Sequence, residues 1–80
     1  MRRQEMLEAL RRRPFQPFRI FVSDGGTYDV RHPEMAMISP SSAIIGMPQP
    51  QQDPPAIERY SVVDLLHVTR LEPVDTTPSR

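Results

Sequence analysis

Few residues in this chain have the type and spacing for chemistry, and they sort into three groups. Asp29, His32 and Glu34 fall within six positions, and carboxylates beside an imidazole are ligand types for Zn²⁺ or Mn²⁺. The second histidine, His67, lies far along the chain, so the trio reads better as a polar bend at His32-Pro33-Glu34 than as a metal site. The serines gather at Ser39, Ser41 and Ser42 around Pro40, a turn by composition. Nucleophilic chemistry needs an activated Ser, Cys or Lys, and the chain has neither cysteine nor lysine. No catalytic residue, no metal and no cofactor is expected. The third group is Arg2, Arg3, Arg11, Arg12 and Arg13, half of the ten basic residues, all of which are arginine. Guanidinium forks grip phosphates, so this group is the candidate contact for RNA or DNA. Glu5 and Glu8 interleave with it and the net charge is zero, which favours a plain solvated helix face.

The elements that carry these residues follow from the apolar spacing. Met6, Leu7 and Leu10 share one side of a helix over residues 3–13, with Glu8 one turn from Arg12 and Pro14 as the stop. Such a helix is marginal alone and must dock through Met6, Leu7 and Leu10. Phe18, Ile20 and Val22 alternate with Arg19, Phe21 and Ser23 as a strand, and Asp24-Gly25-Gly26 supplies a hairpin turn into a return strand bearing Tyr28 and Val30. Phe21, on the other face from Ile20, is an exposed aromatic available to a partner or to the helix. His32-Pro33 marks a bend, since proline cannot donate to a central ladder. Further strands are expected over residues 35–38, 43–47 and 58–62. Residues 62–72 fit two readings, a single helix or a strand, a one-turn 3₁₀ segment at Asp64-Leu65-Leu66 and a closing strand; the β-branched Val68 and Thr69 favour the second.

Length and composition bound the rest. The 80 residues make one domain, residues 1–72, with a flexible proline-glutamine loop at 48–57 and a disordered tail at 73–80. A core this small has little margin, and without cysteine no disulfide can support it, so self-association is the remaining common route. Met1-Arg2-Arg3 is not followed by the apolar run of a secretory signal, and charges or prolines interrupt every apolar segment well before a membrane span. A cytoplasmic protein without a membrane partner is the default. A small barrel has its interior filled by side chains, so no small-molecule substrate is expected.

An N-terminal helix, a hairpin at Asp24-Gly25-Gly26, two more apolar strands, a variable loop and a strand–turn–strand ending resemble, in that order, the Sm-like fold and its bacterial RNA chaperones. Residues 7–13, 18–30 and 65–73 carry the likeness. Those chaperones have a Tyr-Lys-His-Ala stretch before the last strand, where this chain reads Val63-Asp64-Leu65-Leu66-His67, and their loop in place of 48–57 is short. The runs Pro14-Phe15-Gln16-Pro17-Phe18-Arg19-Ile20 and Asp29-Val30-Arg31-His32-Pro33-Glu34 also look like a group of short uncharacterised bacterial proteins of planctomycete type. The resemblance implies a mainly β, strongly bent five-stranded SH3-like or Sm-like barrel with an N-terminal helix. It also implies pairing between the fourth strand of one subunit and the fifth of the next, which nominates Tyr60, Val62, Val68 and Arg70 as an oligomer edge. The expected role is a non-enzymatic interaction module, partnered by itself or by another protein through strand edges, with RNA or DNA binding as the alternative.

Overall fold

The computed structural model describes residues 1–48 and 57–74. Along the chain come α1 (Arg3–Arg11), β1 (Phe18–Val22), β2 (Thr27–Val30), a 3₁₀ turn (Pro33–Met35), β3 (Ala36–Ile38), β4 (Ser42–Pro48), β5 (Ile57–Asp64), a second 3₁₀ turn (Leu65–His67) and β6 (Val68–Pro73). The proline-glutamine loop and the tail fall mostly outside the described residues.

Helix α1 stops two residues short of the expected end. Arg12 has already left the helical region, with ψ at 137°, and the residue before a proline avoids that region as well. The Arg13 guanidinium turns back and donates to the carbonyls of Leu10 (3.1 Å) and Arg12 (2.8 Å), groups the helix end leaves open. At the other end the Arg2 N–H donates to the Glu5 carboxylate at 3.1 Å. Met6 is buried and Leu7 and Leu10 are partly so, as the docking face requires. The Met1 amino nitrogen donates to the Leu65 carbonyl at 2.8 Å and ties the helix start to the second 3₁₀ turn.

The hairpin forms where its turn residues put it. Gly25 sits at φ +92°, a conformation that side chains oppose, and the Gly26 N–H donates to the Asp24 carboxylate at 2.8 Å. Phe18, Ile20 and Val30 then face the interior and are almost fully buried.

The strands pair as two antiparallel sheets of three, in the orders β2-β1-β6 and β3-β4-β5. The fold is mainly β, with one N-terminal helix, but the pairing gives six strands in two sheets and not the single closed five-stranded sheet that was expected. Pro33 is the physical reason: it lacks an N–H, the strand kinks into a 3₁₀ turn, and its two halves, β2 and β3, fall in different sheets. The chain crosses between sheets again at the second 3₁₀ turn, capped by Asp64, whose carboxylate accepts from the Leu66 N–H at 2.9 Å. Residues 62–72 are therefore strand, turn and strand. Between the sheets Met6, Phe18, Ile20, Val30, Ala43, Ile45, Val63, Leu65 and Val68 form one apolar core.

Candidate functional site

The five N-terminal arginines are all exposed, yet the helix divides them. Arg3 and Arg11 stand eight residues apart, about 12 Å along the axis, so Arg2 and Arg3 lie at one end and Arg11, Arg12 and Arg13 at the other. Arg13 is engaged with helix-end carbonyls, and Arg12 borders a hollow of about 220 Å³ that it shares with Glu5, Glu8 and Glu72. What is one cluster in the sequence is two separate groups in space, the larger of them beside three carboxylates.

Alternation along β1, β2 and β6 sends one set of side chains to the outer face of their sheet, and that face is closed by its own charges. Arg19 grips Asp29 across the strands with two bonds, 2.7 and 3.1 Å, and Arg31 adds a third at 3.4 Å. The bond from Arg19 holds the Asp29 carboxyl below the usual carboxylate range, and Arg19 itself is raised by the same bond. Asp29 is thus committed to arginine, while His32 and Glu34 point into solvent. Arg70 pairs with Glu72 at 2.7 Å and lies 3.8 Å above the centre of the Phe21 ring. Phe21 is therefore already covered, which corrects its expected availability to a partner. Arg70, nominated for an oligomer edge, is its cover.

The outer face of β3-β4-β5 is the opposite. Met37 stands beside Ile44, Ile44 beside Val62, and Tyr60 beside the bare Gly46. Ala43, Ile45 and Val63 point inward, so Met37, Ile44, Tyr60 and Val62 point out. Met37 is 65% exposed, Tyr60 67% and Val62 61%, and together they make an apolar row across three strands. Val68, nominated with Tyr60 and Val62, is 4% exposed and belongs to the core. It enters β6 straight from the 3₁₀ turn, opposite Val22 at the register shift, and that shift sets its side chain inward.

Strand β5 pairs with β4 alone among the described strands. The Leu65 N–H donates to the Ser41 carbonyl at 2.9 Å, which sets the phase of the β4–β5 ladder. Residues 61 and 63 exchange bonds with β4, and Tyr60 and Val62 turn both N–H and C=O to the free edge. The bond from the Ser39 N–H to the Ser42 carbonyl, 2.8 Å, gives the β3–β4 ladder the complementary phase. The same two residues thus offer apolar side chains to one side and, to the edge, backbone groups that no described strand pairs.

A hollow of about 350 Å³ lies between β5 and the hairpin, lined by Val22, Tyr28, Val62 and His67 among others. In its wall Ser23 Oγ lies 3.3 Å from His67 Nδ1, and the Ser23 N–H donates to the His67 carbonyl at 2.8 Å. A catalytic pair needs a third group to orient the base. Both nearby carboxylates are occupied with backbone, Asp24 accepting from Gly26 and Asp64 from Leu66. The Ser23–His67 pair clasps the hairpin to the second 3₁₀ turn. Forty-four residues separate them, and nothing local in the sequence signals the contact. Met37 and Ile44 also escaped sequence reasoning, because residues 35–38 and 43–47 read as plain apolar runs with no face assigned. The tight Ser39–Ser42 turn was the available signal, since it fixes Met37 opposite Ile44. Comparison with protein-family models, with curated proteins and with solved structures finds no match.

Proposed function

We propose that this chain is a non-enzymatic interaction module that assembles with copies of itself, its two sheets forming the halves of a small SH3-like or Sm-like barrel. The observation that carries the reading is the coincidence at Tyr60 and Val62 of an exposed apolar row and an unpaired backbone edge. The two 3₁₀ crossings between sheets support the barrel comparison, since they bend one continuous path around a shared core. The small core supports assembly, because a chain with this little buried surface gains from covering more. Among the described residues no helix is long and apolar enough to cross a membrane.

Nucleic-acid binding through the arginines receives less support, because α1 separates them and carboxylates adjoin the larger group. Sedimentation velocity over a concentration series tests the leading reading. Association at tens of micromolar that Val62→Lys weakens about tenfold or more is the expected result; a monomer throughout would sink it. A labelled RNA bound at low salt, and released by changing Arg11, Arg12 and Arg13 to alanine, would instead favour the alternative.

A further inference from the structure

The described residues form four strand edges, and three of them are protected. Strand β3 is three residues long and β2 four, too short to template a partner. Strand β6 is interrupted at its register shift, where Thr69 Oγ1 donates to the Phe21 carbonyl at 3.2 Å, and it ends at Pro73, which has no N–H. The Val74 N–H donates to the Pro17 carbonyl, so residues 70 and 72 face β1 and Leu71 alone turns both groups outward between the shift and Pro73. Strand β5 is eight residues long, contains neither proline nor lysine, and is paired on one side only. Its own register shift, opposite Met47 and Pro48, and Arg59 lie at its start, so among the described residues 60–63 is the one edge stretch without a device against pairing.

We propose that two copies of this chain join antiparallel along β5, about a two-fold axis at Ser61, fusing their β3-β4-β5 sheets into one continuous sheet. The inference rests on the self-assembly reading above and specifies how it is achieved. Only residues with outward N–H and C=O groups can exchange bonds across the new seam, so Tyr60 and Val62 must meet residues of the same phase. Sliding by one step in one direction sets Tyr60 against Asp64 of the second copy, and in the other it carries Val62 past Tyr60 towards the register shift opposite Met47 and Pro48. Centring on Ser61 sets Tyr60 of each copy against Val62 of the other, an aromatic and β-branched pair made twice. Opposite residues of a sheet share a face, so both pairs fall on the outer side and continue the row from Met37 and Ile44 into the second copy.

The chain has no cysteine, which makes cross-linking a direct test. Ser61 would face its own copy in a non-hydrogen-bonded pair, where Cα atoms lie about 4.5 Å apart, inside the range of about 4.4–6.8 Å that a disulfide spans. Ser61→Cys is expected to give a covalent dimer under mild oxidation at concentrations where the unmodified chain associates, and Thr69→Cys on β6 is expected to give none. Association measured by sedimentation without a Ser61→Cys dimer, but with linkage between Val62→Cys and Leu71→Cys chains, would overturn the two-fold mode in favour of β5–β6 pairing and leave the assembly reading standing. A monomer at every concentration would overturn both.

Discussion

The two sheets of this molecule use the same alternation and enclose the same core, yet their outer faces are finished to different degrees. On β2-β1-β6, Arg19, Asp29 and Arg31 form one ionic group, and Arg70 covers Phe21 while pairing with Glu72. On β3-β4-β5, Met37, Ile44, Tyr60 and Val62 face outward beside an open edge. A single exposed apolar residue needs no explanation, since much of any protein surface is apolar. A row of four beside a strand edge that no described strand pairs is a surface open to another chain. The difference teaches that charges meeting across strands satisfy one another within the chain, whereas apolar residues meeting across strands stay exposed.

The largest effect should come from the core that both faces share. Ile20→Ala removes a fully buried side chain, and truncation of that kind costs about 2–5 kcal/mol. Urea unfolding is expected to show a loss of that size, with association falling together with folding. A variant that lost the fold but kept its association would break the link between face and core.

Next comes the open face itself. Val62→Lys places a charge on an exposed edge position and removes half of each Tyr60–Val62 contact. Burial of one such side chain is worth about 1.5–3 kcal/mol, so association should weaken about tenfold or more while the urea midpoint stays close to that of the parent chain. A smaller effect is expected on the closed face. Arg70→Ala uncovers Phe21 and removes an exposed cation–π contact of about 0.5–1 kcal/mol. Thermal unfolding should move by that order and self-association should not weaken; a dimer lost in this variant would assign the contact to the wrong sheet.

The smallest effect is a pH dependence. The bond from Arg19 lowers the Asp29 carboxyl in the folded chain, so its support is complete above the unfolded value of about 3.9 and fades as pH falls through the lower folded value. Asp29→Asn should remove this acid-side loss and cost a little stability at neutral pH, as a partly exposed pair does. Unfolding curves between neutral pH and the acid limb would check it. An unchanged acid limb would detach Asp29 from the stability of that face.

Much of the fold was legible because its signals are local. Asp24-Gly25-Gly26 fixes a hairpin within three residues, Pro14 and the apolar spacing bound a helix to within two, and the β-branched Val68 and Thr69 decide for a strand after the 3₁₀ turn. Pro33 was read as a bend, and its consequence, two half-strands in two sheets, depends on pairing that no local pattern states. The site was half legible for the same reason. Tyr60 and Val62 were named from their strand, but Met37 and Ile44 complete the row only through cross-strand register. Phe21 looked free because its cover, Arg70, is 49 positions away. The arginines looked like a cluster because proximity in sequence is not proximity along a helix.

Amide hydrogen exchange of Tyr60 and Val62 as a function of protein concentration tests the central claim most directly, since their N–H groups lie on the free edge. The account predicts rapid exchange in dilute solution and protection at both residues as concentration rises, with the Leu71 amide on β6 unchanged. Exchange at Tyr60 and Val62 that stays fast at every concentration, or protection that appears at Leu71 instead, would contradict it.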